Sequence, residues 1–273
     1  MTHYEIQGTR VPALGFGTFQ LTGDTCRRQV LAALETGYRH IDTARAYDNE
    51  DQVGRALEDS GVARSEVFLT SKVWLDDLEP KPLARSVEKS LRQLRTGFLD
   101  LCLIHWPSDR FPLDASLDAL QRLRSEGKIR HLGVSNFPPA YLRRACDLAP
   151  VFTNQVEYHP LLGQETLLRL CRENGVLLTA YSPLAQGAVF REPVLREIGK
   201  KYGKSPAQVA LRWLLEQDRV AAIPRSSSEK NLRENFEVFD FELAGEDIKK
   251  IDRLPKNQRQ VNPAFAPDWG EDD

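Results

Sequence analysis

Eight short apolar runs, each followed by a polar loop and an amphipathic stretch, constrain this chain more than any other feature. The runs are LGFG (14–17), YRHID (38–42), VFLTSK (67–72), LDLCLIH (99–105), IRHLGVS (129–135), FTNQVE (152–157), LLTAY (177–181) and VAAIP (220–224). Each reads as a strand. Between them Leu83, Val87, Leu91 and Leu94 recur at helical spacing, as do Leu117, Leu120 and Leu123, then Leu167, Leu168 and Cys171, then Val209, Trp213 and Leu214. Ser205-Pro206 opens a helix, with serine as cap and proline in the first turn. Eight strands alternating with eight helices predict a parallel sheet closed into a (β/α)8 TIM barrel. A barrel of this kind uses about 250 residues as one unit, so residues 1–273 are expected to form a single domain. An open doubly wound sheet is the alternative, but no G-x-G-x-x-G follows any of the runs. The start, HYEIQGTRVPAL, reads as an N-terminal β-hairpin turning at Gly8. Leu254 to Asp273, rich in proline and charge, reads as a short C-terminal loop and tail.

Charge and cysteine usage narrow the function classes. A net charge of -2 with alternating signs leaves no basic footprint for nucleic acid. No apolar run approaches the length of about 20 residues needed to span a bilayer, so no membrane association is expected. MTHYEIQGTR has no apolar signal core, and Cys26, Cys102, Cys146 and Cys171 form no C-x-x-C pair. The thiols therefore read as small core residues rather than metal ligands, and a cytoplasmic monomer acting on a small molecule is expected.

Four residues stand just past strand candidates: Asp42 after YRHI, Tyr47 in the loop that follows, Lys72 closing VFLTSK and His105 closing LDLCLIH. In a barrel, catalytic groups come from the carboxyl ends of several strands, so all four fall on one rim. Taken singly, each has a plainer reading as a cap, a packed ring or a structural histidine. Together they form a proton-donating set. A free tyrosine holds its proton at neutral pH, with a pKa of about 10, and a neighbouring ammonium is expected to lower that value. Tyr47 is thus the expected general acid, Lys72 its pKa-lowering neighbour and Asp42 the partner of the lysine. His105 is expected to orient a carbonyl by hydrogen bonding. A metal-dependent barrel hydrolase is a weaker reading, because no H-x-H or carboxylate cluster accompanies Asp42 and His105.

From LGFGT near the start to APDW near the end, and above all in IDTA-x-x-Y-x-NE-x-x-VG, the chain resembles the aldo-keto reductase family. With its short tail it resembles the small bacterial keto-acid and aldehyde reductases, notably the 2,5-diketo-D-gluconate reductases. The resemblance implies that Asp42, Tyr47, Lys72 and His105 are the catalytic tetrad. It implies that Ser135, Asn136 and Gln155 bind the nicotinamide carboxamide and that Tyr181 stacks on the ring. Ser182, Leu184 and Gln186 would follow in the loop along the pyrophosphate. IPRSSSEKNLREN (223–235) resembles the adenosine-phosphate motif. There a cation and hydroxyls at a helix start suit a 2′-phosphate, which points to Arg225, Ser226 and Ser228. Glu234 and Asn235 match adenine-contacting positions. Arg225 replaces the usual lysine, and Asn231 stands where a second arginine is common. NADPH is the expected cofactor, with NADH as a weaker alternative. Phe19, Trp74, Trp106 and His105 are expected to wall the substrate pocket, and NPAFAPDW to close over it. The implied reaction is NADPH-dependent reduction of a small aldehyde or ketone, of the 2,5-diketo-D-gluconate or methylglyoxal type. A non-catalytic, cofactor-binding regulatory subunit of the same fold is the alternative.

Overall fold

The computed structural model describes residues 2–270. A short antiparallel hairpin comes first, β1 (His3–Ile6) and β2 (Thr9–Pro12), turning through Gln7 and Gly8, both left-handed at φ 48° and 73°. Eight parallel strands follow: β3 (Phe16–Gly17), β4 (His40–Asp42), β5 (Phe68–Val73), β6 (Leu99–Ile104), β7 (Ile129–Ser135), β8 (Val151–Glu157), β9 (Leu177–Tyr181) and β10 (Val220–Ala222). Each pairs with the next in chain order. The ends of this series meet. Gly15 N donates to Ala222 O and Ala222 N to Ala13 O, both at 2.8 Å, and Gly17 N donates to Pro224 O at 3.1 Å. Gly17 permits this closure, since a Cβ there would lie 2.9 Å from the Ile223 carbonyl oxygen. The result is the (β/α)8 TIM barrel that the alternation implied.

The barrel has a plugged end and an open end. At the plugged end, Ile6 and Val11 of the hairpin pack onto Phe68, Leu101, Leu103, Phe152, Leu177 and Ala221 from inside the barrel. Phe68 and Phe152 stack at 5.8 Å between ring centres. Gln7 donates to Val151 O, and Tyr4 donates to Leu215 O and Gln217 O, fixing the hairpin as the lid of that end. A second, larger core fills the space between strands and helices. All the helical positions singled out from periodicity lie in it: Leu83, Val87, Leu91, Leu94, Leu117, Leu120, Leu123, Leu167, Leu168, Cys171, Val209, Trp213 and Leu214. Each fully buried side chain of this size contributes about 1.5–3 kcal/mol relative to exposure, so the apolar stripes fix the helices against the barrel wall.

The helices number ten among the described residues, two more than the alternation suggested. They are α1 (Gly23–Thr36), α2 (Glu50–Asp59), α3 (Pro80–Gln93), α4 (Leu113–Ser125), α5 (Pro139–Leu148), α6 (Glu165–Glu173), α7 (Pro193–Tyr202), α8 (Pro206–Leu215), α9 (Glu229–Phe236) and α10 (Gly245–Asp252). The extra pair arises because α7 and α8 both separate β9 from β10, and α10 follows α9. Gly203 ends α7 at φ 66°, and two residues later Ser205 and Gln208 form a capping box that starts α8 behind Pro206. A left-handed stop beside a capping start breaks one helical stretch into two. Among the described residues, no helix is long and apolar enough to cross a membrane.

Candidate active site

Asp42 and Lys72 meet across neighbouring strands at the open end of the barrel. Asp42 ends β4, Lys72 lies near the end of β5, and both are 1% exposed. Lys72 Nζ donates to Asp42 Oδ1 at 2.5 Å, to Thr43 O at 2.9 Å and to the Tyr47 hydroxyl at 3.3 Å. All three ammonium protons thus have acceptors. Tyr47 closes a single 3₁₀ turn, Arg45–Tyr47, directly after β4. Asn49 holds that turn: its Nδ2 donates to Thr18 O and Leu21 O, and its Oδ1 accepts from Thr43 Oγ1. The asparagine of the NE pair is therefore a brace for the tyrosine loop. The other oxygen of Asp42 accepts from Gln155 Nε2 at 2.7 Å, which links β4 to β8 across the barrel mouth.

Burial and charge set the protonation states. Burial alone would depress the Lys72 ammonium, but Asp42 and Tyr47 outweigh it and the net direction is upward. For Tyr47 burial pushes the phenol up and Lys72 pulls it down, and the net direction is upward. That corrects the expectation of a net lowering: the lysine acts in the foreseen sense, but the half-buried ring loses more by desolvation. Burial first, and then the Lys72 charge, hold His105 well below the ordinary imidazole value, so its ring is neutral. The His105 ring stands edge-on to Tyr47 at 5.7 Å and to Trp74 at 5.1 Å. Its Nδ1 is buried without a hydrogen-bond partner among the described residues.

A cavity of about 1510 Å³ opens above these groups. Asp42, Tyr47 and His105 line it, while Lys72 lies beneath its floor. Ser135, Asn136, Gln155, Tyr181, Ser182, Leu184, Gln186, Arg225, Ser226, Glu234 and Asn235 also line it, as do Phe19, Trp74 and Trp106. Ser228 does not. Its hydroxyl caps α9 by accepting from Asn231 N, and Ser226 Oγ donates to Ser228 O at 2.7 Å. The two hydroxyls thus shape the start of α9. Arg225 is exposed, with its guanidinium 3.1 Å from Gln20 Oε1 across the cavity mouth. Asn136 is left-handed at φ 62° and donates to His105 O and Ser135 Oγ, while its Oδ1 accepts from the Tyr181 hydroxyl at 2.8 Å. The loop after β9 carries a run of left-handed backbone: Ser182, Ala185, Gln186 and Gly187 at φ 44°, 47°, 49° and 96°. For non-glycine residues such conformations cost about 1–3 kcal/mol each and concentrate at binding sites.

The rim holds residues that the sequence pattern did not single out: Gln20, Asp76, Asp77 and Phe190 line the cavity. Phe19, Phe190 and Phe265 are 54%, 49% and 48% exposed, an unusual exposure for phenylalanine that marks the mouth. The tail crosses this mouth as expected. Phe265 stands edge-on to Trp74 at 5.5 Å and to Trp106 at 5.4 Å, and Trp269 lies 6.2 Å from Trp106. Residues 271–273 of the predicted tail lie outside the described residues. Among the described residues, no three His, Cys, Asp or Glu side chains gather as a metal site.

The geometry has counterparts in known proteins. The model of the aldo/keto reductase family matches residues 13–256. Glyoxal reductase of Bacillus subtilis is 45% identical over 255 residues, covering 92% of each chain. Methylglyoxal reductase DkgB of Escherichia coli O157:H7 is 38% identical over 265 residues, covering 95% of this chain and 99% of its own. A solved structure of a candidate 2,5-diketo-D-gluconic acid reductase B superposes with a TM-score of 0.97 at 45% identity, covering 99% of this chain and 98% of that one. The aldose reductase of Schistosoma japonicum superposes with a TM-score of 0.90 at 31% identity, covering 96% and 94%. With the family model spanning most of the chain and relatives matched along nearly their whole length, this chain belongs to the aldo/keto reductase family and is a carbonyl-reducing oxidoreductase.

Proposed function

We propose that the chain reduces small aldehydes or ketones, glyoxal- and methylglyoxal-type dicarbonyls foremost, with NADPH as hydride source and Tyr47 as proton donor. The observation that carries this reading is one continuous cavity lined by Tyr47, His105 and Arg225 together. The relatives named for glyoxal and methylglyoxal support the substrate class.

The residues present fit a nicotinamide dinucleotide. The cavity exceeds the roughly 300–1,000 Å³ of a single small-ligand pocket, leaving room for a long cofactor beside a small substrate. Gln155 spends one Nε2 proton on Asp42 and keeps its other amide groups for a carboxamide. Ser182 and Gln186 carry strained left-handed backbone along the cavity wall, and Arg225 offers an exposed cation beside the start of α9. When bound, the cofactor supplies a hydride to the carbonyl carbon.

The protein's own groups supply the rest. Tyr47 gives its proton to the carbonyl oxygen as negative charge develops there. Lys72 stabilises the phenolate left behind, and Asp42 keeps Lys72 charged in a buried place. Neutral His105 orients the carbonyl through a ring N–H. Trp74, Trp106 and Phe265 exclude water around the reacting carbon. Four free thiols are in keeping with a cytoplasmic setting.

Loss of NADPH absorbance on mixing with glyoxal, methylglyoxal and 2,5-diketo-D-gluconate tests the reading. Turnover of at least one is expected. Binding of NADPH with no turnover on a panel of small aldehydes and keto acids would replace it with a regulatory, cofactor-binding role. Arg225→Ala tests the cofactor's phosphate. Losing a charge-assisted contact is expected to weaken NADPH by about 10–100-fold and NADH far less. Equal losses for both cofactors would remove Arg225 from the 2′-phosphate.

A further inference from the structure

Glu157 is the last residue of β8 and is fully buried, two positions along the same inward face from Gln155. It takes no part in the proton-donating set. Its Oε1 accepts from the backbone N–H of Gln260 and its Oε2 from that of Val261, both at 2.8 Å. His159, also fully buried, approaches Oε1 through Nε2 at 2.9 Å. Because Leu161 N donates to His159 Nδ1, the ring proton sits on Nε2 and points at the carboxylate. One carboxylate thus gathers three donors, two of them from the tail.

Among the described residues, this tie is the last hydrogen-bonded hold of the tail on the barrel. Beyond Val261, the hydrogen bonds among the described residues stay within the tail: Ala266 N to Pro263 O, Trp269 Nε1 to Asn262 Oδ1, and Gly270 N to Asp268. Among the described residues, Phe265 and Trp269 then reach the barrel through their ring contacts with Trp74 and Trp106.

We propose that Glu157 is the latch that fixes the C-terminal tail over the cavity, and so a positioning residue for the substrate, acting through Phe265. This rests on the reading of the Tyr47 end as the carbonyl site. The latch sets where the aromatic wall of Trp74, Trp106 and Phe265 closes. It works in the ground state and the transition state alike, so it governs KM rather than kcat.

Glu157→Gln places an amide N–H₂ against donors and leaves one oxygen for three of them. It is expected to raise KM for methylglyoxal about tenfold, with kcat and NADPH affinity nearly unchanged. Phe265→Ala, at an exposed position, is expected to give the same KM-selective loss, and the double variant no more than the larger single effect. In the unaltered protein the amides of Gln260 and Val261 should exchange with solvent far more slowly than those of residues 264–270. That measurement needs no turnover, so it judges the latch even if the carbonyl reading fails, and even if Glu157→Gln does not fold. Fast exchange at both amides, multiplying KM effects in the double variant, or a loss in kcat at constant KM would each overturn the latch.

Discussion

Tyr47→Phe is expected to lower kcat for carbonyl reduction by about 10²–10⁴-fold while leaving NADPH affinity essentially intact. The substitution removes one oxygen. That oxygen faces the cavity, accepts a hydrogen bond from Lys72 Nζ at 3.3 Å and leaves the phenol's own proton free to be given away. The ring stays packed between Phe19 at 5.1 Å and His105 at 5.7 Å, so the wall of the pocket survives. The pH dependence follows from the same geometry. With Tyr47 as the proposed donor its acid form would be the active one, and burial outweighs Lys72 to raise its pKa above the ordinary 10.0. For reduction, kcat/KM reports the free enzyme. It should therefore be flat through neutral pH and fall only on the alkaline side. In Tyr47→Phe the residual rate should lack that alkaline fall. A variant that keeps most of its kcat, or a wild-type decline centred near neutral pH, would show that another group donates the proton.

The barrel was legible because its signal is repeated. Eight apolar runs and the periodic leucines between them each point to the same parallel sheet, and β7 and β9 match the runs IRHLGVS and LLTAY residue for residue. The ends of runs were less legible. Tyr38 belongs to YRHID by composition, but it precedes β4, packing on Phe16 and Phe236 and donating to Leu232 O. Of the site, Asp42, Tyr47, Lys72 and His105 could be placed on one rim from their strand-end positions. Their contacts could not: Gln155 reaches Asp42 across 113 residues of chain. Serines 226 and 228 bond within their own loop, a choice that composition does not distinguish from binding a phosphate. Least visible was the hold of Glu157 on the tail. It runs through backbone N–H groups, which every residue but proline carries and no pattern of side chains reports.

Lys72→Met is expected to cost about 3–5 kcal/mol of folding stability as well as nearly all activity, and the two losses should separate. The lysine and Asp42 are both 1% exposed. Removing the ammonium leaves a buried carboxylate with only the Gln155 amide at one oxygen, and leaves the Thr43 carbonyl without its donor. A lone buried charge is what makes the single change severe. Replacing Asp42 as well, in Lys72→Met/Asp42→Asn, removes that charge and keeps an oxygen for Gln155. Stability should then recover to within about 1–3 kcal/mol of the unaltered protein, the cost of the Thr43 carbonyl. Activity should not recover, because the phenolate of Tyr47 still lacks a cation beside it. The comparison belongs at neutral pH. The folded pKa of Lys72 is raised above 10.5, so the pair's contribution is fully present below that value and is lost as pH rises through the folded one. Denaturant midpoints and kcat measured side by side decide the matter. If stability and activity recover together in the double variant, Lys72 serves only to neutralise Asp42. If stability stays low in the double variant, the stranded carboxylate is not what destabilises Lys72→Met.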